Sequence, residues 1–200
     1  GATGTSVSNL SSGSYTVTVT DSKGCTATKA FSVTQPTSLP SATVTPTAVS
    51  CFGGTNGAAS VTGSGGTAGY TYAWTGGATG TSVSNLSSGS YTVTVTDSKG
   101  CTATKAFSVL QPTSLPSATV TPTAVSCFGG TNGAASVSGS GGTAGYTFAW
   151  TGGATGTFVS TLSSGSYTVT VTDSKGCTAT KGFSVSQPTQ ITGNFTTTNA

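Results

Sequence analysis

The chain has 200 residues, carries a formal net charge of +3 and devotes only 4% of its residues to charged side chains. With six Lys, three Asp and no His, it lacks the groups that general acid–base catalysis combines, and its charge is too small for the basic patch of a nucleic-acid binder. No apolar run approaches the length of a membrane-spanning helix, and the abundance of Thr, Val, Tyr and Gly favours strands. We therefore predict an all-β protein that is not an enzyme, uses no cofactor, binds no nucleic acid and has no membrane insertion in this segment.

The chain is a tandem repeat with a period of 76 residues. Gly1–Ser50 matches Gly77–Ser126 with one difference, and Cys51–Val109 matches Cys127–Val185 with a handful of changes. A period of this length suits a small independent domain. We expect the C-terminal half of a repeat at 1–38, complete repeats at 39–114 and 115–190, and the start of a divergent repeat at 191–200. The strands before Gly1 are expected from a longer polypeptide or, alternatively, from a neighbouring chain.

The strands of one complete repeat can be predicted in chain order. A first strand at Ala42–Thr45 kinks at Pro46, and further strands follow at 58–62, 69–74 and 81–86. Tyr91–Thr96 alternates apolar and hydroxyl side chains, Asp97–Gly100 is a hairpin turn, and Cys101–Val109 is the returning strand. About seven short strands with Gly-rich turns indicate an antiparallel β-sandwich.

Aromatic residues favour an immunoglobulin-like sandwich. Trp74 and Trp150 lie on the middle strand, where such domains place their core Trp. Leu86 and Gly89-Ser90-Tyr91 have the spacing of a tyrosine corner, which recurs at Tyr15 and Tyr167. We interpret these aromatics as structural, the alternative being a platform that stacks on sugars. The predicted fold is a linear array of tandem immunoglobulin-like β-sandwiches.

A family resemblance extends over the whole chain. Val49–Gly57, then Tyr70-Thr71-Tyr72-Ala73-Trp74, then Gly89–Asp97 with Gly100-Cys101 resemble the SprB-type repeat. That family occurs in very large surface proteins of Bacteroidetes, and its namesake is a gliding-motility adhesin. The resemblance implies export across the outer membrane by type IX secretion, and an extracellular location on the cell surface or in a secreted filament.

The cysteines are expected to form disulfides, because a small domain with a thin core often needs a covalent cross-link. Pairing within repeats would join Cys51 to Cys101 and Cys127 to Cys177, leaving Cys25 for an upstream partner. Pairing between repeats would join Cys25 to Cys51 and Cys101 to Cys127. We favour the first, although Cys51 closes the first strand and Cys101 opens the last, which places them at opposite ends of a simple sandwich. Metal binding is not expected, since neither CxxC nor His accompanies them.

The charged residues lie on the final hairpin of each repeat. One Asp per repeat cannot build a calcium site, so we interpret Asp97 as a turn residue that bonds its own backbone, and the Lys as protection of an edge strand. A ligand contact at the hairpin tip is the alternative. The candidate surface contacts are Phe52, Phe128, Phe158, Lys99 and Lys175.

The leading functional hypothesis is a structural one: a shaft of a surface adhesin, serving attachment or gliding, in which each repeat has neighbouring repeats as partners. Near-identical copies suit a spacer, and the Pro-bounded joint at 112–116 should limit bending. The alternatives are a glycan-binding module that acts by avidity and a filament subunit completed by strands of identical chains.

Overall fold

The computed structural model describes residues 2–194, which form fourteen β-strands and no helix. The strands are β1 Gly13–Thr20, β2 Thr26–Val33, β3 Ser41–Thr47, β4 Gly57–Ser64, β5 Thr71–Trp74, β6 Ser82–Leu86, β7 Gly89–Thr96, β8 Thr102–Val109, β9 Ser117–Thr123, β10 Gly133–Ser140, β11 Thr147–Trp150, β12 Phe158–Leu162, β13 Gly165–Thr172 and β14 Thr178–Val185. The predicted all-β class is confirmed.

The last six strands form two three-stranded antiparallel sheets, with strand orders β12-β10-β9 and β11-β13-β14. Apolar side chains from both sheets make one core, so the sheets pack face to face as a sandwich. The buried members of this core are Ala118, Ala135, Val137, Phe148, Trp150, Val169 and Val171. Alternation along β13 explains the packing, because Val169 and Val171 point inward while Thr168 and Thr170 point away.

The preceding repeat has the same six strands, in sheets ordered β3-β4-β6 and β5-β7-β8. Each complete repeat therefore has six strands instead of the predicted seven or so. The first strand also continues through Pro46 to Thr47. Its counterpart β9 lies at a sheet edge, where Pro122 can lack an N–H without interrupting the ladder.

β1 and β2 form a two-stranded sheet that corresponds to β7 and β8 of the complete repeat. Val17 and Val19 of β1 are exposed, whereas Val93 and Val95 at the equivalent positions of β7 are fully buried. That 1–38 is the C-terminal half of a repeat stays a prediction.

Contacts between Cα atoms divide the chain into two compact units. The first comprises Gly1–Val44, Val61–Thr81 and Thr92–Lys105; the second comprises Thr45–Ser60, Ser82–Tyr91 and Ala106–Ala200. The division passes through strands of the repeat at 39–114, so the repeat boundaries remain a prediction. The divergent segment at 191–200 lies partly outside the described residues.

The tyrosine corner is present in all three copies. The phenol groups of Tyr91 and Tyr167 each donate to a backbone carbonyl four residues upstream at 3.0 Å, and Tyr15 does so at 2.8 Å. The Tyr167 ring is half-buried and stacks on Phe183 with a centroid distance of 5.7 Å. These tyrosines fix the strand crossover, as their spacing in the sequence indicated.

Trp150 lies in the core, and Trp74 holds the equivalent position. Both side chains are only 5% exposed, and the indole of Trp150 donates to the Gly156 carbonyl at 2.8 Å. Phe183 meets the Trp150 ring edge-on at 5.7 Å. Phe183 thus contacts both Trp150 and Tyr167, a contact that the sequence did not predict.

The residue before the corner has a left-handed backbone. Asn85 has φ 58° and Thr161, its counterpart, has φ 62°. Asn tolerates this region, whereas a β-branched side chain is strained there. We expect Thr161→Asn to stabilise its repeat by about 1 kcal/mol and Asn85→Thr to destabilise the other by a similar amount. Denaturant unfolding followed by Trp fluorescence measures both, and a loss of stability in Thr161→Asn would contradict the strain.

Candidate functional site

The most elaborate site in the molecule is the junction between the two complete repeats. We define it as residues 47–54, 110–116, 142–144 and 173–177, all of which belong to the second compact unit. The first two segments lie at the end of the first complete repeat that meets its neighbour. The last two segments belong to the following repeat and face them across the junction. Several of them line a cleft of about 550 Å³, with Lys175 at one side.

The end of the first complete repeat is held together by hydrogen bonds. Val49 donates its N–H to the Leu110 carbonyl at 2.8 Å, and Gly53 donates to the Gln111 side-chain oxygen at 2.8 Å. Asn56 accepts from the Ser50 N–H at 2.9 Å. The loop that carries Cys51 is thereby fixed against the residues that follow β8.

The hairpin of the next repeat is organised by a buried carboxylate. Asp173 is 4% exposed; its Oδ1 accepts from the N–H groups of Lys175 and Cys177, and its Oδ2 accepts from that of Thr143, each at 2.9 Å. A Cβ on Gly142 would lie 2.5 Å from Oδ2, so only glycine fits there. The Thr143 N–H, followed by those of Cys177, Lys175 and Gly176, lowers the pKa of Asp173 against the opposing effect of desolvation.

Asp97 has the same arrangement in the first complete repeat, with Thr67 in place of Thr143. The interpretation of this Asp as a turn residue that bonds its own backbone is confirmed. The third bond, from a loop 30 residues away in sequence, could not be seen from the local pattern.

A disulfide crosses the junction from Cys51 to Cys177. The two Cα atoms are 5.8 Å apart, and the residues are separated by 126 positions in the sequence. Cys177 is 5% exposed, and its Sγ lies 3.4 Å from the Ser50 carbonyl oxygen. This bond links the loop after β3 of one repeat to the hairpin before β14 of the following repeat.

Both disulfide patterns predicted from the sequence are therefore wrong. Cys177 directly precedes β14, whereas Cys127 lies beyond its far end, where Gly129 donates to Gln187 at 2.8 Å. The eight residues of β14 span about 26 Å, and a disulfide requires Cα atoms roughly 4–7 Å apart. Cys51 is bonded to Cys177, and Cys25, Cys101 and Cys127 are exposed free thiols.

The thiol count distinguishes these patterns. After oxidation and denaturation, we expect three dye-reactive thiols, from Cys25, Cys101 and Cys127, whereas either predicted pattern would leave one. Tryptic mapping alone is ambiguous, because Gly-Cys-Thr-Ala-Thr-Lys contains Cys25, Cys101 and Cys177 alike. Variants assign the bond: Cys177→Ser should raise the count to four, and Cys101→Ser should lower it to two. A single reactive thiol in the unchanged chain would refute the junction bond.

Acid should weaken the hairpin. Because the folded pKa of Asp173 is lowered, its stabilisation is complete above the unfolded pKa of about 3.9 and is lost as the pH falls through the folded value. We expect Asp173→Asn to lower thermal stability at pH 7 and to reduce the further loss below about pH 4. Asp21→Asn is the matched control, since the exposed Asp21 carboxylate accepts from the N–H groups of Lys23 and Cys25 in its own turn. Unchanged acid sensitivity in Asp173→Asn would contradict this assignment.

The predicted surface contacts lie in the loop after the first cysteine, at the start of β12 and in the hairpin turns. Phe52 and Phe128 follow the first cysteine of their repeats and are 45% and 52% exposed, while Phe158 starts β12 and is 59% exposed. Lys99 and Lys175 lie in the hairpin turns, where their N–H groups bond the buried Asp. Among residues 2–194, no group of three or more His, Cys, Asp or Glu could hold a metal ion. No helix within that range is long and apolar enough to cross a membrane.

Comparisons with known proteins identify the repeat. No curated protein matches the chain. Among solved structures, an amphioxus IgVJ-C2 molecule is 14% identical with a TM-score of 0.30, covering 59% of this chain and 88% of its own. The eight N-terminal Ig domains of Down Syndrome Cell Adhesion Molecule are 14% identical with a TM-score of 0.41, covering 88% of this chain and 28% of theirs. Similarity at this level says nothing of what the chain binds. A family model described as the SprB repeat matches residues 43–79 and 119–155, one stretch in each complete repeat, so both repeats are similar to that family.

Proposed function

We propose that the chain is a segment of the shaft of a large bacterial surface adhesin. The observation that carries this proposal is the junction, where a disulfide joins one repeat to the next. A site that joins copies of the same domain serves the array, and near-identical copies provide length and uniform joints. The SprB match at 43–79 and 119–155 supports an adhesin-like repeat module and an extracellular or surface location.

In this proposal the function of the repeats is to provide length. Strands of about seven residues span roughly 23 Å, so with turns and a joint each repeat should add about 35–45 Å. The shaft would hold a distal contact away from the cell. Membership of a Bacteroidetes surface protein, type IX secretion and a part in gliding motility belong to the proposal through the family resemblance.

The test is the length of arrays with two, three and four repeats, measured by small-angle scattering or electron microscopy. The maximum dimension should grow linearly by about 35–45 Å per repeat. A dimension that stays nearly constant as repeats are added would overturn the shaft proposal, because it would indicate a compact assembly.

A glycan-binding module is the second candidate, favoured by the exposed rings of Phe52, Phe128 and Phe158. Aromatic faces stack on sugars, and repeated weak sites gain avidity along an array. Binding of the chain to immobilised glycans, lost on replacing these three Phe with Ala and retained in an exposed-leucine control such as Leu39→Ala, would support it. Identical binding by both variants would exclude these rings as the site.

A further inference from the structure

The two cysteines of a complete repeat face opposite neighbours. In the repeat at 115–190, Cys177 precedes β14 and is bonded to the preceding repeat, while Cys127 lies about 26 Å away, beyond the other end of that strand. A repeat can therefore form one bond at each end at the same time. Neither bond would compete with the other for a sulfur atom.

The free cysteines have the surroundings of the bonded ones. Cys127 lies in the same loop as Cys51: in both, the residue three positions on donates to the cysteine carbonyl at 3.0 Å, and the residue two positions on donates to a glutamine at 2.8 Å. Cys101 donates its N–H to Asp97 at 2.9 Å, as Cys177 does to Asp173. Cys101, Cys127 and Cys25 are all exposed, whereas Cys177 is buried by its partner.

We propose that the bond between cysteines 126 residues apart recurs at every junction of the repeat array. The first cysteine of each repeat would bond the second cysteine of the next, as Cys51 bonds Cys177. Where the repeats continue, Cys127 bonds a cysteine 126 residues further along, and Cys101 and Cys25 bond cysteines 126 residues before them. The result is a ladder of overlapping disulfides along the shaft.

Each bond forms by thiol–disulfide exchange with a small or protein disulfide as the oxidant. One cysteine thiolate attacks the oxidant disulfide and releases one reduced thiol, and the second cysteine then displaces the other. The two cysteine thiols are oxidised to one disulfide, the oxidant is reduced to two thiols, and the protons go to those thiols. An oxidising extracellular setting supplies such oxidants.

The ladder rests on the proposed shaft function and deepens it, because it limits extension under tension. The shortest covalent path crosses a disulfide from the first cysteine of one repeat to the second cysteine of the next repeat. From there it follows the backbone for only 26 residues to the first cysteine of the repeat after that, as from Cys101 to Cys127. That path is about 90 Å for every two repeats, against about 530 Å for their unfolded chain. The shaft proposal gives two folded repeats about 70–90 Å, so unfolding a sandwich would scarcely lengthen the array.

The test uses the chain with residues 39–114 inserted twice more after Ser114, which gives nine cysteines. After oxidation with glutathione disulfide and denaturation, the ladder predicts three reactive thiols, the same number as in the 200-residue chain. Five would mean that only alternate junctions are bonded, and one would mean pairing within repeats or across adjacent joints. Either of those counts overturns the proposal.

A matched variant and a mechanical measurement separate the ladder from the shaft. Replacing the first cysteine of the first inserted copy, the equivalent of Cys51, with Ser should raise the count from three to four, because its partner becomes free. Pulled from its ends, the oxidised array should reach a total length of about 90 Å per two repeats, and a Cys-free array about 530 Å. Linear growth of folded length without the predicted count would leave the shaft standing and remove the ladder. The predicted thiol count in a compact array would support the ladder and overturn the shaft. If the oxidised array reached about 530 Å per two repeats, the ladder would be refuted directly.

Discussion

Trp150→Ala is expected to reduce the free energy of unfolding of its repeat by about 3–5 kcal/mol. The side chain is 5% exposed, lies among Val169, Val171 and Phe148, and meets Phe183 edge-on at 5.7 Å. Its removal leaves a cavity between the two sheets and frees the Gly156 carbonyl from its indole partner. Urea unfolding followed by circular dichroism should show an early transition for the altered repeat.

Phe158→Ala is the matched control, because it removes an aromatic ring that is 59% exposed on the same sandwich. We expect a change within about 0.5 kcal/mol. If Trp150→Ala left stability intact and instead abolished adhesion to a sugar-coated surface, the indole would be a binding group. The structural assignment of Trp150 would then be wrong.

Gly133→Ala is expected to destabilise the same repeat by about 1–3 kcal/mol or more. A Cβ at this buried position would lie 2.8 Å from the Leu162 carbonyl oxygen and 2.8 Å from a methyl group of Val185. Leu162 is the partner of Gly133 in the β10–β12 ladder, so the carbonyl cannot move without disrupting that pairing. A lowered thermal midpoint measures the effect.

Gly182→Ala provides the control within the same sandwich. Only the Tyr167 carbonyl, at 4.0 Å, lies near the added methyl group, and the preceding repeat already has Ala106 at this position. We expect Gly182→Ala to be neutral or slightly stabilising, since Gly weakens a strand interior. Equal losses of stability in the two variants would mean that the close approach at Gly133 is not the cause.

The alternation of side chains made much of the fold predictable. Tyr91–Thr96 reads as a strand with one inward face, and the structure buries Val93 and Val95 on that face. The tyrosine corner and the Asp turn could equally be predicted from the sequence, because each depends on residues only a few positions apart. The alanine-rich strand β4, longer than predicted, shows that strand ends are set by sheet pairing more than by composition.

The sequence by itself therefore determined the repeat, the all-β class, the core Trp positions and the short-range turns, because these depend on periodicity and on neighbours along the chain. Only the tertiary structure decided the disulfide partner, Cys177 for Cys51, and the long-range bond from Thr143 to Asp173. The repetition made the disulfide pairing ambiguous, because the second cysteine of each repeat lies in the same local sequence. The choice depends on which ends of two folded repeats meet, and the eight-residue length of β14 keeps the two cysteines of one repeat too far apart to bond.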